Sequence, residues 1–213
     1  MKLALVLAVV LTGCSQQTLD APTDLPPADV GEFTPVDGGD IAEEGQAGRD
    51  FRRMDVDQLS ASIERVTGHA WTRDDGGEEI DRFQELAPTL GAPDYIEVVS
   101  DTLSPSLLFQ KFLDDAALAV CPRLVQDDWA RADGTRWLIR YVDPTDTSDS
   151  PDMQRTLQDA LLRFHGTAVA DDSQQLAEWA FLMRSLTEVA SEPQTRWESL
   201  CVALITHPDF YLY

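Results

Sequence analysis

From Phe51 onward, apolar residues recur along the chain mainly at helical spacing. In "FRRMDVDQLSASIERVTG", Val56, Leu59, Ile63 and Val66 lie three and four apart, which places them on one stripe of a helix. Asp55 suits the N-cap, Gln58 completes a capping box, Met54 and Leu59 fit a hydrophobic staple, and Gly68 supplies the stop. A second helix is predicted over Gly77 to Leu86, broken at Pro88, and "LGAPDYIEVVSD" that follows is ambiguous. Ser104 and Pro105 make an N-cap and first-turn proline for a long helix reaching about Cys121, with Pro122 as its terminator. Trp137 to Val142, "WLIRYV", reads as extended from its residue types.

The last third is helical again, over about 152–165 before Gly166, about 173–189, and about 194–206 before Pro208. In the final helix Trp197, Leu200, Cys201, Leu204 and Ile205 share one face. The pattern predicts a mainly α protein: a single compact, bundle-like domain of about five to seven helices over 51–213, without a solenoid repeat. A hydrophobic fraction of 43% and five Trp supply material for its core.

The chain before Phe51 follows another pattern. Lys2 precedes nine apolar residues, Leu3 to Leu11, enough for a helix of only about 14 Å against a hydrocarbon core of ~30 Å. Such a run is an export signal rather than a permanent span. The quartet Leu11-Thr12-Gly13-Cys14 resembles the bacterial lipoprotein signal, which implies cleavage after residue 13 and lipidation of Cys14. Several acyl chains, each methylene contributing about 0.8 kcal/mol on burial, would hold such a protein to a membrane. Ser15 in place of an Asp favours sorting to the outer membrane.

Residues 14–50 then read as the lipidated cysteine and a disordered acidic linker. From Ser15 to Asp50 there are four prolines, five glycines and nine acids against one Arg, with no apolar period. A flexible coil of that length spans roughly 30–36 Å. A partner-binding acidic tail is the alternative.

Charge narrows the partners. With 38 acids against 16 bases the formal net charge is -22, a field that repels phosphate backbones and anionic lipid, so nucleic acid is excluded as an expected partner and membrane contact is assigned to the lipid anchor.

Cys121 and Cys201 fall on inward helical faces, and a single remaining pair in an exported protein suggests a structural disulfide; two buried thiols that never meet are the alternative. The chain has no Cys-x-x-Cys-His, Gly-rich phosphate loop, His-Glu-x-x-His or Gly-x-Ser-x-Gly, so no catalytic residue and no cofactor is expected. His165, in the last turn before Gly166, reads as a helix-end or core histidine. His207 and Asp209 could join it in a metal trio if the two helix ends pack together. "DPTDTSDSPD" offers Asp143, Asp146, Asp149 and Asp152, but their spacing of three and the missing Gly do not fit a helical-hand calcium loop. A solvated turn that caps the next helix is the expectation there.

Three stretches carry a likeness to known exported proteins. "RRMDVDQLSASIERVTG" (Arg52 to Gly68) resembles the opening helix of uncharacterised helical domains found beside planctomycete-type cytochrome c modules in large exported bacterial proteins, and "LCVALITHPDFYLY" (Leu200 to Tyr213) resembles their closing helix. "LLRFHGTAV" (Leu161 to Val169) is similar to segments of exported proteins of myxobacterial type. The resemblance implies a small lipoprotein version of such a domain, in a neighbourhood of exported redox or polymer-degrading proteins.

The functional expectation is a membrane-tethered envelope lipoprotein, a non-catalytic accessory or interaction protein whose partner is an exported protein such as a cytochrome c or a hydrolase. The alternatives are an exported metal-dependent enzyme using His165, His207 and Asp209, and an acidic calcium-binding surface protein using the Asp143 to Asp152 loop.

Overall fold

The computed structural model describes residues 52–90, 106–132, 134–146 and 149–213. The leader with Cys14, the linker, the ambiguous stretch after Leu90 and the Ser104-Pro105 pair lie outside them. The described residues form a mainly α body with seven α-helices and one small hairpin.

Helix α1 spans Val56–Thr67 and forms as its local signals dictate. The Asp55 carboxylate accepts from the Gln58 N–H at 2.7 Å, the Gln58 side chain accepts from the Asp55 N–H at 3.1 Å, and Gly68 closes the helix at φ 76°. The helix buries Val56, Leu59, Ile63 and Val66, the expected stripe.

The predicted helix from Gly77 is corrected. Strands β1 (Thr72–Asp75) and β2 (Glu78–Asp81) form an antiparallel hairpin with Asp75 opposite Glu78, and only then does α2 (Arg82–Leu86) begin. Gly76 and Gly77 occupy the turn at φ 70° and 96°, a left-handed pair that suits a tight hairpin and would break a helix. Trp71 and Phe83, at the two ends of the hairpin, meet Phe112 in a mutual edge-to-face cluster with centroids 5.1–5.4 Å apart.

Helix α3 runs over Leu107–Ala130, capped by Ser106. It passes through Pro122, which was expected to end it. The proline deprives only the Leu118 carbonyl of its N–H partner, and Leu118 faces solvent at 60% exposure, where water can serve that oxygen. Beyond the proline Leu124, Val125 and Asp128 are buried, and their packing outweighs the local cost of about 3 kcal/mol.

Trp137 to Val142 is also corrected: it forms bends, not a strand. Its N–H groups go to side chains instead of a ladder. Asp128 accepts those of Trp137, Leu138 and Ile139, and Tyr141 donates to Thr156 Oγ1 at 3.3 Å. Leu138, Ile139 and Val142 enter the core from this strap, which is pinned by Trp197 Nε1 donating to the Pro144 carbonyl at 2.9 Å.

Helices α4 (Pro151–His165), α5 (Gln174–Val189) and α6 (Pro193–Thr206) follow, with the one-turn α7 at Pro208–Tyr211. Ser150 and Ser173 cap the first two of these. Helices α3 and α6 pack against each other at the centre of the body, and there Cys121 and Cys201 stand at disulfide distance, Sγ to Sγ 2.01 Å and Cα to Cα 5.7 Å. The face of α6 read from the sequence is buried throughout.

The first and last described residues meet. Met54 donates to the Tyr211 carbonyl at 2.8 Å, and Arg52 and Tyr213 exchange backbone bonds of 3.3 and 3.0 Å. Buried Arg53 lies over the Phe109 ring, 4.7 Å from its centre. The chain just before α1 and the chain just after α7 are thus neighbours.

Candidate metal site

The C-terminal end of α4 and the α6–α7 junction build one polar cluster. Gly166, at φ 66°, stops α4 immediately after His165 and holds that ring in the last turn. On the other side, Pro208 has no N–H to give the Leu204 carbonyl four residues earlier, so α6 ends with an orphan acceptor. His165 supplies the missing donor: its Nε2 lies 2.9 Å from the Leu204 oxygen. A carbonyl can only accept, so Nε2 carries the proton and Nδ1 of the neutral ring presents a lone pair. That Nδ1 is buried and has no hydrogen-bond partner.

His207 serves two helices at once. Its N–H closes α6 on the Ala203 carbonyl, and its Nδ1 accepts the Asp209 N–H at 3.2 Å to start α7. The imidazoles of His165 and His207 stack with centroids 4.9 Å apart and planes 23° from parallel. Trp179 of α5 leans on both rings, 5.5 Å from His165 and 5.6 Å from His207. The Asp209 carboxylate lies 3.7 Å from His207 Nδ1, and Gln175 reaches it at 3.5 Å. One ligand atom from each of His165, His207 and Asp209 falls within 4.8 Å of the others.

Burial pushes the His165 imidazole below its ordinary pKa. The Leu204 carbonyl opposes that shift, His207 adds to it, and Asp209 opposes it. The ring is therefore neutral at pH 7, the state a metal ligand requires.

The other candidates are distributed differently. Asp143 closes a turn on Thr145, accepting from its N–H at 2.8 Å and its hydroxyl at 2.6 Å, and Asp149 pairs with Arg184 at 2.8 Å. Asp152 is in the first turn of α4. With Asp146, these carboxylates form no metal-holding group among the described residues. His69 stands elsewhere, its Nε2 3.3 Å from Asp127.

Open grooves among the described residues lie away from the cluster. One of about 440 Å³ lies between α1 and Tyr213, lined by Met54, Ser62 and Arg65 among others, and one of about 260 Å³ lies beside Tyr141, Arg155 and Asp159. Neither sets a nucleophile beside a base, whereas the histidine cluster joins ligand-type side chains. Sequence reasoning named its three polar members but missed Trp179, Gln175 and the Leu204 carbonyl. Proline four residues after Leu204 was the available signal for the last of these.

No protein-family model, curated protein or solved structure matches the chain.

Proposed function

We propose that this chain is a lipid-anchored lipoprotein of the bacterial cell envelope, sorted to the outer membrane, where it acts as a non-catalytic accessory to an exported redox or degradative protein. The approach of Cys121 and Cys201 to disulfide distance across the α3–α6 packing carries the reading. Such a bridge suits an oxidising compartment and would be reduced in an ordinary cytosol. It agrees with the export-type apolar run and with Leu11-Thr12-Gly13-Cys14, which supplies a thiol for lipid attachment. The partner class, a cytochrome c or a hydrolase, comes from the resemblance of Arg52 to Gly68 and Leu200 to Tyr213.

Two measurements test the two halves of the proposal. Expressed in a bacterium fed a clickable fatty acid, the full chain should take up label, and Cys14→Ser should abolish it; an unlabelled wild-type chain found in the envelope sinks the anchor. Crosslinking in intact envelopes, followed by mass spectrometry, should recover one recurrent exported partner. Repeated recovery of none removes the accessory role.

A further inference from the structure

We infer that His165, His207 and Asp209 bind one divalent transition-metal ion, zinc in the first place, at the junction of α4, α6 and α7. Two imidazoles and a carboxylate are borderline and hard donors, a set that suits zinc or copper over calcium and magnesium, which prefer oxygen cages. This goes beyond a lipid-anchored accessory role, which calls for no metal.

His165 is the preorganised member. Its Nε2–H is committed to the Leu204 carbonyl, the outer bond that metal-ligating histidines habitually make to fix tautomer and orientation. The opposite nitrogen is left buried with a lone pair and no partner. A buried acceptor without a donor is costly, and coordination satisfies it. Trp179 walls the site on one side, keeping the rings in an apolar setting.

The other two members adapt. A tetrahedral zinc with bonds of about 2.0–2.2 Å needs donor atoms roughly 3.3 Å apart, closer than the 4.8 Å limit of the cluster. Imidazole lone pairs lie in the ring planes, and these planes are 23° from parallel with centroids 4.9 Å apart, so one ring must turn for both to aim at a single ion. His207 can do so: its side chain is 39% exposed, and turning it sacrifices the Asp209 N–H bond at the start of a single-turn helix. Asp209, 47% exposed, follows on the same turn. The fourth position is left to water.

The test uses the full chain, stripped with a chelator and titrated with cobalt(II), whose visible absorption distinguishes tetrahedral coordination from loose association with an acidic surface. One cobalt per chain with a tetrahedral band is expected, displaced by zinc and indifferent to millimolar calcium. His207→Ala and Asp209→Asn should each weaken binding at least ~10-fold. The double variant Asp143→Asn/Asp149→Asn should bind as the wild type does. His165→Gln could disturb the end of α6, so the His165 role is read in the wild type, from the Nδ1 nitrogen resonance on adding zinc. The inference is overturned if no tetrahedral band forms, if calcium displaces the ion, if His207→Ala binds unchanged, or if the His165 Nδ1 resonance stays put. None of these outcomes depends on the lipid anchor or on finding a protein partner.

Discussion

Asp128 and Leu138 are joined by a hydrogen bond of 2.6 Å from the Leu138 N–H to Asp128 Oδ2, with the carboxylate wholly buried. The same carboxylate accepts from Trp137 at 2.8 Å, from Ile139 at 3.0 Å, and from Arg131 Nη1 at 3.1 Å. These four donors offset the desolvation of a charge, and they make one side chain of α3 the organiser of the strap. Asp128→Ala is expected to lower stability by about 3–5 kcal/mol, since it strands three inward-facing N–H groups. Asn keeps an acceptor oxygen and should cost less. Urea unfolding followed by tryptophan fluorescence measures both, and a loss below ~1 kcal/mol for the Ala variant contradicts this role.

Gly68 is required twice over. Its φ of 76° disfavours side chains, and an added Cβ would come within 3.0 Å of the Trp137 ring. Gly166 has a similar φ of 66° but open space around it. Gly68→Ala should therefore cost about 2–3 kcal/mol and Gly166→Ala about 1, the difference being the displaced indole. Equal losses in thermal melting would show that Trp137 yields without penalty.

A bond between Cys121 and Cys201 closes a span of 80 residues, worth about 4.5 kcal/mol in the chain-entropy treatment. Mass spectrometry of unreduced protein should find both thiols blocked. The double variant Cys121→Ala/Cys201→Ala should melt well below the wild type, and a reductant should have little further effect on it. Free thiols in protein recovered from an oxidising compartment would contradict the pairing.

Stability should fall as the pH drops below about 6.5. Burial and then Arg123 depress the His69 pKa, Arg131 adds to the depression, and Asp127 opposes it without prevailing. The unfolded chain therefore takes up this proton first. The contribution is complete above the ordinary value of 6.5 and is lost as the pH falls from there through the folded value. Melting curves between pH 7.5 and about 5 should show the decline, and His69→Gln should reduce its slope, leaving the part that His165, depressed in the same direction, contributes. An identical slope in the variant would assign the titration to other groups.

Much of the fold was legible because its signals are local. The Asp55–Gln58 box, Gly68 and Gly166 act within one or two turns, and the structure uses them as their spacing implies. The misread elements depend on remote partners or on a rival local signal. Gly76-Gly77 marked a hairpin, yet the acids and Ile80 around it also fit a helix. Pro122 would end an isolated helix, and only the burial of Leu124, Val125 and Asp128 carries α3 past it. Trp137 to Val142 has strand-like side chains, but no partner strand stands beside it among the described residues; Asp128, nine to eleven residues earlier, takes three of its donors. At the candidate site the helix-end position of His165 could be read directly. Its approach to His207 follows from how α4 and α6 pack, which no spacing rule specifies.

A bond between Cys121 and Cys201, which stand at disulfide distance, would also sort the molecule by topology. With that bond made, everything between Cys121 and Cys201 belongs to a closed ring, whereas the stretch before it and the twelve residues after it are open arms. Those arms grip one another, through Met54 and Tyr211 in the backbone and through Phe109 against the Tyr211 ring at 5.2 Å. A partial opening of the body would thus release both arms together and leave the ring intact. His165 sits in the ring and His207 and Asp209 in an arm, so that same opening would pull the two halves of the histidine cluster apart.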